Sequence, residues 1–195
     1  MKTLFRISTL TTLALSAFAS GAHAQAAKSL GILAGVDFSN YTGLPSGGNS
    51  SSLTGFVGGL YVGIPVGDRV AVEPNVLYAG KGARDDDFDI DVRTGYIEIP
   101  VLLRYNFNNS GGPFLLAGPA IGFNISCSLS DGTTSISCSD FGAEANTTVG
   151  AVLGLGFQQQ RFGLEGRYDF DFGNAFKDGQ GKNAVWEIIA RVMLK

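Results

Sequence analysis

The densest group of side chains able to do chemistry is the acidic run RDDDFDID. Its alternating carboxylates belong to Asp85, Asp87, Asp89 and Asp91. Because Ca²⁺ takes about six to eight oxygen ligands, these residues are candidates for a weak calcium site. The run lacks the glycine and the terminal glutamate of an EF-hand loop, so the alternative is a solvated acidic loop.

Two cysteines, Cys127 and Cys138, flank the polar stretch SLSDGTTSIS. In an exported protein, a pair at this separation most simply forms one disulfide that closes a surface loop. A metal site is the alternative, and it would need further ligands such as histidine. The only histidine is His23, which lies in a segment that we expect to be cleaved off. The sequence therefore favours the disulfide.

The same lack of histidine bears on catalysis. Enzymes that act on lipids or peptides mostly use a histidine as the base that activates a nucleophile. Asp169 and Asp171 could be mistaken for a glycosidase carboxylate pair, but side chains two residues apart in a strand point the same way. Beside Arg167 they are more typical of a structural ion cluster. We therefore predict no catalytic residue, no cofactor and no enzymatic activity.

The N-terminus has the pattern of a secretory signal peptide. Lys2 and Arg6 precede an apolar run that ends in Ala22-His23-Ala24, a small-residue cleavage pattern. We expect residues 1–24 to be removed and residues 25–195 to form one domain. The remaining chain carries 12 basic and 17 acidic groups, a net charge of −5, which does not favour nucleic acid as a partner.

Eight segments of the remaining chain show the two-residue period of β-strands. In YIEIPVLLRYNF, every second side chain from Ile97 onward is apolar, whereas the other face carries Glu98 and Arg104. The same division recurs in residues 30–38, 54–64, 69–80, 96–107, 114–125, 147–157, 161–172 and 185–194. No segment has a convincing helical period, so the pattern predicts an all-β domain.

The connections alternate between short turns and long polar loops. PVGD, NNSGGP and QQQ are tight, whereas the loops at residues 39–53, 81–95, 126–146 and 173–184 are long. An antiparallel up-and-down meander with an even number of strands places the short turns at one end and the long loops at the other. Bacterial outer-membrane barrels have this arrangement, and segments of this length suit a tilted membrane crossing of about 9–11 residues.

In a soluble sandwich or lipocalin-like barrel, the apolar faces would point inward. That alternative fits less well, because strands of soluble sheets are typically about five or six residues long. Aromatic residues also gather toward the strand ends, as interfacial girdles require; they are Phe38, Tyr78, Tyr105, Phe107, Phe157, Phe162, Phe172 and Trp186. We therefore expect the apolar faces to contact lipid and the charged faces to line the interior.

The inward charges are expected to form an ionic network, because an unpaired buried charge costs about 3–5 kcal/mol. Its predicted members are Glu73, Glu98, Arg104, Glu165, Arg167, Asp169, Asp171, Glu187 and Arg191. Side chains are enough to fill an eight-stranded barrel, so we predict a plugged interior. Pro74, Pro100 and Pro119 each remove a ladder hydrogen bond and are expected to mark a bulge or a local break.

Three runs resemble the PorT-like outer-membrane β-barrel family: GFVGGLYVGIPVGDRVAVEPNVLYAGKG, GYIEIPVLLRYNF and GPFLLAGPAIGFNIS. The resemblance is strongest over residues 55–124 and extends to the closing strands. It implies a small exported barrel in which the three strand prolines are family features. Most members have no assigned activity, and the name-giving branch is associated with a secretion apparatus. The chain ends in Met-Leu-Lys, where many outer-membrane barrels have an aromatic residue.

These patterns predict an eight-stranded antiparallel up-and-down transmembrane β-barrel in the bacterial outer membrane. We expect a structural or interaction scaffold that displays extracellular loops for adhesion, partner binding or envelope integrity. The alternatives are a narrow channel, an accessory subunit of a transport or secretion machine and, less favoured, a soluble periplasmic binding barrel. The expected partners are outer-membrane lipids or lipopolysaccharide and a protein bound through the loops. We expect a monomer.

Overall fold

The polypeptide folds into an antiparallel β-barrel in a computed structural model that describes residues 29–42, 50–85, 90–141, 146–175 and 182–195. The barrel strands are β1 Ser29–Thr42, β2 Ser50–Pro65, β3 Val70–Asp85, β4 Ile90–Asn106, β5 Gly112–Ser130, β7 Thr148–Gln159, β8 Phe162–Asp171 and β9 Lys182–Met193. A short strand, β6 (Ser135–Ser137), pairs with the end of β5, and a 3-10 turn, Cys138–Phe141, follows it. Among the described residues, no helix is long and apolar enough to cross a bilayer. The predicted signal peptide lies outside the described residues.

The pairing of the first strand with the last closes the sheet. Barrel strands that follow one another in the chain are paired, and β1 also pairs with β9, from Gly31 opposite Met193 to Thr42 opposite Lys182. Each barrel strand therefore has a neighbour on both sides, which removes the free edges of the barrel. The predicted fold, an eight-stranded up-and-down antiparallel barrel, is confirmed.

Side chains alternate between the outer wall and the interior. On β4, Ile99 and Leu103 are 36% and 53% exposed, whereas Glu98 and Arg104 are 4% and 6% exposed. The eight aromatic residues predicted to form girdles are all exposed on the outer wall. An apolar outer wall around a charged interior is the arrangement expected in lipid and is the reverse of a soluble barrel.

Most strands are longer than predicted, although β8 is two residues shorter, and one side of the barrel is taller than the other. β5 has 19 residues and β8 has 10, although both begin at the short-turn end, next to the last residues of β7. At about 3.3 Å per residue, β5 is roughly 30 Å longer than β8, measured along the strand direction. Strands β2 to β5 have 16 to 19 residues and β7 to β9 have 10 to 12. We call the long-loop end of β2 to β5, together with β6, the tall wall.

The strand prolines mark local breaks in the ladders, one of the two expected outcomes, and not bulges, which were the other. The ladders keep one register on both sides of Pro74, Pro100 and Pro119, although some positions beside them are unpaired. The register shifts lie instead at residues 52–57 of β2 and 95–96 of β4. A proline removes one donor, whereas a bulge needs an extra residue on one strand.

Close packing of the two closing strands requires glycine at one inward position. A Cβ at Gly35 of β1 would collide with the backbone carbonyl of Ile188 and with Cα of Ile189 on β9. Gly166 of β8 is different, because a Cβ there would meet only the carbonyl oxygen of Glu187, at 3.9 Å. Substituting each of the two glycines therefore distinguishes the steric requirement for glycine at position 35 from the general effect of replacing a glycine within a strand.

Gly35→Ala is expected to lower the free energy of unfolding by about 1–3 kcal/mol, the usual cost of overpacking, because the new methyl group would push β9 away. The measurement is equilibrium urea unfolding in detergent micelles, with the fluorescence of the single tryptophan, Trp186, as the signal. Gly166→Ala is the matched control and should change stability by less than about 0.5 kcal/mol. Equal effects of the two substitutions would contradict the close approach of β1 and β9.

Candidate functional site: the charged interior and the bridged hairpin

A chain of alternating charges crosses the interior near the short turns. Glu73 of β3 accepts hydrogen bonds from Arg104 of β4 at 3.0 Å and from Arg191 of β9 at 3.0 and 3.1 Å. Glu165 of β8 pairs with Arg191 at 2.9 Å and with Arg167 at 2.6 Å. Since β1 and β2 lie between β9 and β3 in the sheet, the contact from Arg191 to Glu73 spans the lumen. We call these five residues the short-turn cluster.

Two aromatic rings fill the space around this cluster. The guanidinium carbon of Arg104 lies 3.9 Å from the ring centre of Phe114, and that of Arg191 lies 4.3 Å from the ring centre of Tyr61. Both rings are buried. A cation held against an aromatic face is stabilised most when it has lost its water. The rings and guanidinium groups together block the lumen at this level.

A second group of charges lies nearer the long loops. The ammonium nitrogen of Lys81 on β3 lies 2.5 Å from Glu98 of β4 and 2.7 Å from Asp169 of β8. β3 and β8 are on opposite sides of the barrel, so the pair of Lys81 with Asp169 also crosses the lumen, whereas Glu98 lies on the neighbouring strand β4. Asp171 accepts a hydrogen bond from Asn183 at 2.6 Å. We call Lys81, Glu98, Asp169 and Asp171 the long-loop cluster.

All nine residues predicted for the interior network lie on inward faces and are buried. Eight belong to the two clusters, and the ninth, Glu187, lies opposite Arg167 in the β8–β9 ladder. The predicted set omits Lys81 and Asp37, which are also inward and buried. The two-residue period places Lys81 on the same face as Glu73 and Asp37 on the same face as Gly35. The inward position of both residues could therefore have been predicted from the sequence.

The buried interior holds more acidic than basic side chains. Among the described residues, seven carboxylates and four basic groups are buried. Asp37 lies opposite Glu187 in the β1–β9 ladder and against the backbone of Gly55, but neither of its carboxylate oxygens makes a hydrogen bond of ordinary geometry. The acidic excess is at the long-loop end of the lumen, because Glu187 and Asp37 add to the carboxylates of the long-loop cluster there.

A polar cavity of about 370 Å³ opens at the short-turn end. Its floor is the ion pair of Glu73 and Arg104. Amide and hydroxyl side chains line its walls, among them Asn106, Asn108, Asn109, Ser110, Gln158 and Gln160. The cavity therefore offers many neutral hydrogen-bonding groups, together with the carboxylate of Asp68, above one ion pair.

The candidate calcium ligands fall only partly within the described residues. Asp87, Asp89 and the side chain of Asp85 lie outside them. Asp91 pairs with Arg93 at 3.0 Å and with Arg84 at 3.4 Å. In the part of the chain that the structure describes, no group of three or more acidic, histidine or cysteine side chains is arranged to hold a metal ion. The calcium site stays a prediction.

The disulfide closes a hairpin at the long-loop end of β5, beyond the β5–β7 ladder, which ends at Gly122 opposite Thr148. Cys127 of β5 is bonded to Cys138, with the Cα atoms 5.4 Å apart. In the hairpin turn, Asp131 accepts hydrogen bonds from the backbone nitrogens of Thr134 and Thr133 and from the Thr133 hydroxyl. These donors hold the pKa of the Asp131 carboxyl below its ordinary value. The turn therefore keeps the hydrogen bonds to the Asp131 carboxylate at neutral pH and loses them only in acid.

The chain matches a known family over most of its length. The sequence model described as "outer membrane protein beta-barrel domain" matches residues 23–177. The chain belongs to this outer-membrane β-barrel family. Its location is the bacterial outer membrane, in agreement with the apolar outer wall. No curated protein gives a significant match.

Solved outer-membrane barrels resemble this barrel at low sequence identity. Neisserial surface protein A matches with a TM-score of 0.56 and 13% identity, over 84% of this chain and 96% of that chain. OprG from Pseudomonas aeruginosa gives 0.49 and 14%, over 86% and 94%. The Yersinia pestis attachment invasion locus protein Ail, in complex with the heparin analogue sucrose octasulfate, gives 0.48 and 16%, over 86% and 99%. The first of these similarities shows a common fold.

Outer-membrane barrels direct their short turns to the periplasm and their long loops to the exterior. The short-turn cluster and the polar cavity of this outer-membrane barrel therefore lie on the periplasmic side. The long-loop cluster lies toward the exterior, and the hairpin closed by Cys127 and Cys138 stands on the extracellular side.

Glu73→Gln is expected to lower the free energy of unfolding by about 3–5 kcal/mol, because it leaves Arg104 and Arg191 buried without their shared carboxylate. Urea unfolding of the barrel in lipid vesicles at pH 8 measures the loss. Asp37→Asn is the matched control, since it removes a buried carboxylate that has no ion pair within 4 Å among the described residues, and it should destabilise the barrel much less than Glu73→Gln does. A loss of stability in Asp37→Asn as large as that in Glu73→Gln would show that the pairing is not what stabilises the interior.

Proposed function

We propose that this outer-membrane barrel is a closed scaffold that displays its extracellular loops for adhesion, partner binding or envelope integrity. The observation that supports this role is the filled interior. Ion pairs join facing walls at two levels of the lumen. At the level of the short-turn cluster, Phe114 packs against Arg104 and Tyr61 packs against Arg191. A cylinder filled in this way holds its rim rigidly, and loops on a rigid scaffold are well suited to recognition.

The tall wall is the proposed contact surface. Its β5–β6 hairpin exposes serine and threonine side chains together with Ile136, which is 39% exposed. In the described sheet, β6 is the terminal strand beyond β5. Unpaired backbone groups on such a strand can accept an added strand from a partner. We therefore propose a protein partner that binds along β6 and the hydroxyl-rich face of the hairpin.

Planar-bilayer recording tests the closed interior that this role requires. The purified barrel should give no steady conductance, because the charged side chains that span the lumen leave no continuous aqueous path. A steady open state of the wild type would overturn the plugged scaffold and would favour the narrow channel instead.

The double substitution Cys127→Ser and Cys138→Ser is expected to leave the free energy of unfolding of the barrel unchanged within about 0.5 kcal/mol, because the bridge lies beyond the barrel. The hairpin, however, should become more sensitive to protease on intact cells, since the loop is no longer closed. Urea unfolding and surface proteolysis followed by mass spectrometry measure the two effects. Gly166→Ala serves as a barrel substitution that should alter neither. Collapse of the barrel in the double variant would contradict a separate display hairpin.

A second candidate function is that of an accessory subunit of a transport or secretion machine. The observation that favours it is the polar cavity at the periplasmic end, whose amide and hydroxyl groups could bind a periplasmic component. This candidate goes with the proposal that the chain belongs to the PorT-like branch of the outer-membrane barrels, on the residue runs that resemble it. Photo-crosslinking residues placed at Asn109 and at Ser137 distinguish the two functions. Specific adducts at Asn109 alone would favour the accessory subunit, and adducts at Ser137 alone would favour loop display.

We further propose that the barrel acts as a monomer. The β1–β9 ladder closes the sheet within one chain, so no second copy is needed to satisfy the strand edges. Size measurement by light scattering in detergent tests this, and a stable dimer would overturn it.

A further inference from the structure

Three hairpin turns wall the polar cavity at the periplasmic end. They join β2 to β3, β4 to β5 and β7 to β8, and the polar side chains that they contribute are Asp68, Asn108, Asn109, Ser110 and Gln160. Beneath them, Glu73 and Arg104 close the cavity with their ion pair at 3.0 Å. At about 370 Å³, the cavity falls within the range of small-molecule sites, roughly 300–1,000 Å³. It is therefore large enough to hold a small ligand.

Hydrogen bonds within the barrel fix the walls of this cavity. The side chain of Asn106 accepts a hydrogen bond from Nε of Arg104 at 2.8 Å, and its backbone nitrogen donates to the carbonyl of Arg69 at 2.8 Å. Asn106 thus joins the floor of the cavity to the β2–β3 turn. The β4–β5 turn is closed by the backbone bond from Phe107 to Pro113, at 3.1 Å. The cavity is therefore preformed, which lowers the entropic cost of binding a ligand.

Gln160 has a backbone conformation that glutamine rarely adopts. It is the first residue of the β7–β8 turn and has a φ of 52°, and among the described residues it is the only one other than glycine with a positive φ. Glycine and asparagine are the usual residues at such a position. The buried side chain of Gln158 supports this conformation by donating to the Gln160 carbonyl at 3.1 Å. Because backbone strain tends to persist at functional sites and the side chain lines the cavity, Gln160 is the strongest candidate for a ligand contact.

The chemistry of the walls favours an uncharged ligand with hydroxyl and amide groups. Glu73 and Arg104 neutralise each other, and Asp68 adds a carboxylate, so the lining does not attract an anion. Amide side chains both donate and accept hydrogen bonds, so they can pair with the hydroxyls and with an acetamido group of a sugar. The apolar residues of the lining are Pro65, Ala71 and Met193. Their side chains can pack against the C–H face of a sugar ring.

The pairing of the strands around the cavity disfavours a peptide ligand. Among the described residues, each barrel strand is paired on both sides at this end, as with Pro65 opposite Ala71 and Phe162 opposite Val192. An extended peptide that binds by strand addition needs a free strand edge. A sugar needs only side-chain partners, which the three turns supply.

We propose that the periplasmic cavity binds an uncharged sugar that carries an acetamido group. The Gln160 amide exchanges hydrogen bonds with the acetamido group, Asn108 and Asn109 bind the ring hydroxyls, and the apolar lining packs against the ring. The site needs neither the display of extracellular loops nor a protein partner in the periplasm, so each of these proposals can fail without the others.

Ligand-observed NMR tests this site with the protein purified from membranes in a detergent that has no sugar headgroup. Chitobiose, maltose and triglycine are titrated separately. The wild type should bind chitobiose more tightly than the other two, because maltose lacks the acetamido group and triglycine lacks the sugar ring. Absence of chitobiose binding would overturn the site. Binding of maltose or of triglycine as tight as that of chitobiose would overturn the assignment to an acetamido sugar.

Gln160→Gly separates a contact with the ligand from a structural role. It should weaken chitobiose binding about three- to tenfold, the loss expected for a neutral hydrogen bond. The midpoint of urea unfolding should stay the same or rise, because glycine adopts a positive φ without strain. Gln159→Ala is the matched control, since this neighbouring amide does not line the cavity, and it should bind as the wild type does. Unchanged binding in Gln160→Gly, or a lower urea midpoint, would overturn the role of Gln160.

The periplasm offers acetamido sugars from two sources, the glycan of the cell wall and free sugars. Co-sedimentation of the purified protein with isolated cell-wall sacculi distinguishes them. Sedimentation of the wild type, reduced in Gln160→Gly, would support the wall glycan as the ligand. A wild type that binds chitobiose but stays in the supernatant would support a free sugar.

Discussion

The structure depends on one constraint: a backbone amide or carbonyl surrounded by hydrocarbon must find its hydrogen-bond partner within the protein. The ladder between β1 and β9 meets this constraint by joining the first strand to the last. Closure then sends every second side chain into a space that contains neither lipid nor bulk water. Charges in that space must pair with one another, which is why Arg191 reaches across the lumen to Glu73 and Lys81 reaches across to Asp169. The apolar exterior and the ionic interior are two results of the same closure.

The interior is also divided along its length. The short-turn cluster has three arginines and two carboxylates, whereas the long-loop cluster has one lysine and three carboxylates. Arginine and aromatic groups therefore concentrate near the periplasm and acidic groups near the exterior. On the outer wall at the extracellular end of β3 and β4, Arg84 and Arg93 both pair with Asp91.

Much of this arrangement follows from sequence periodicity, and the rest depends on distances that periodicity does not contain. Alternation alone places Glu98 and Arg104 inside and Ile99 and Leu103 outside, because a strand has only two faces. It cannot pair Arg191 with Glu73, since that contact depends on how far the strands are staggered around the barrel. The extension of β5 through Ser126 and Ser128 is predicted as a loop for another reason: Cys127 and Leu129 do alternate with these serines, but the polar stretch between the two cysteines favours a surface loop closed by a disulfide. The prolines predict either a local break or a bulge, and the sequence cannot choose between them, because a missing donor and an inserted residue leave similar marks in a sequence.

The unequal height of the rim has a mechanical consequence. In the part of the chain that the structure describes, the rim extends furthest along β4 and β5, so an object bound to the β5–β6 hairpin makes contact to one side of the cylinder axis. A pulling force applied there produces a torque that tilts the whole cylinder in the bilayer. Within β4 and β5 the same force runs parallel to the strands, so the many hydrogen bonds between them share the load in shear and do not open one after another.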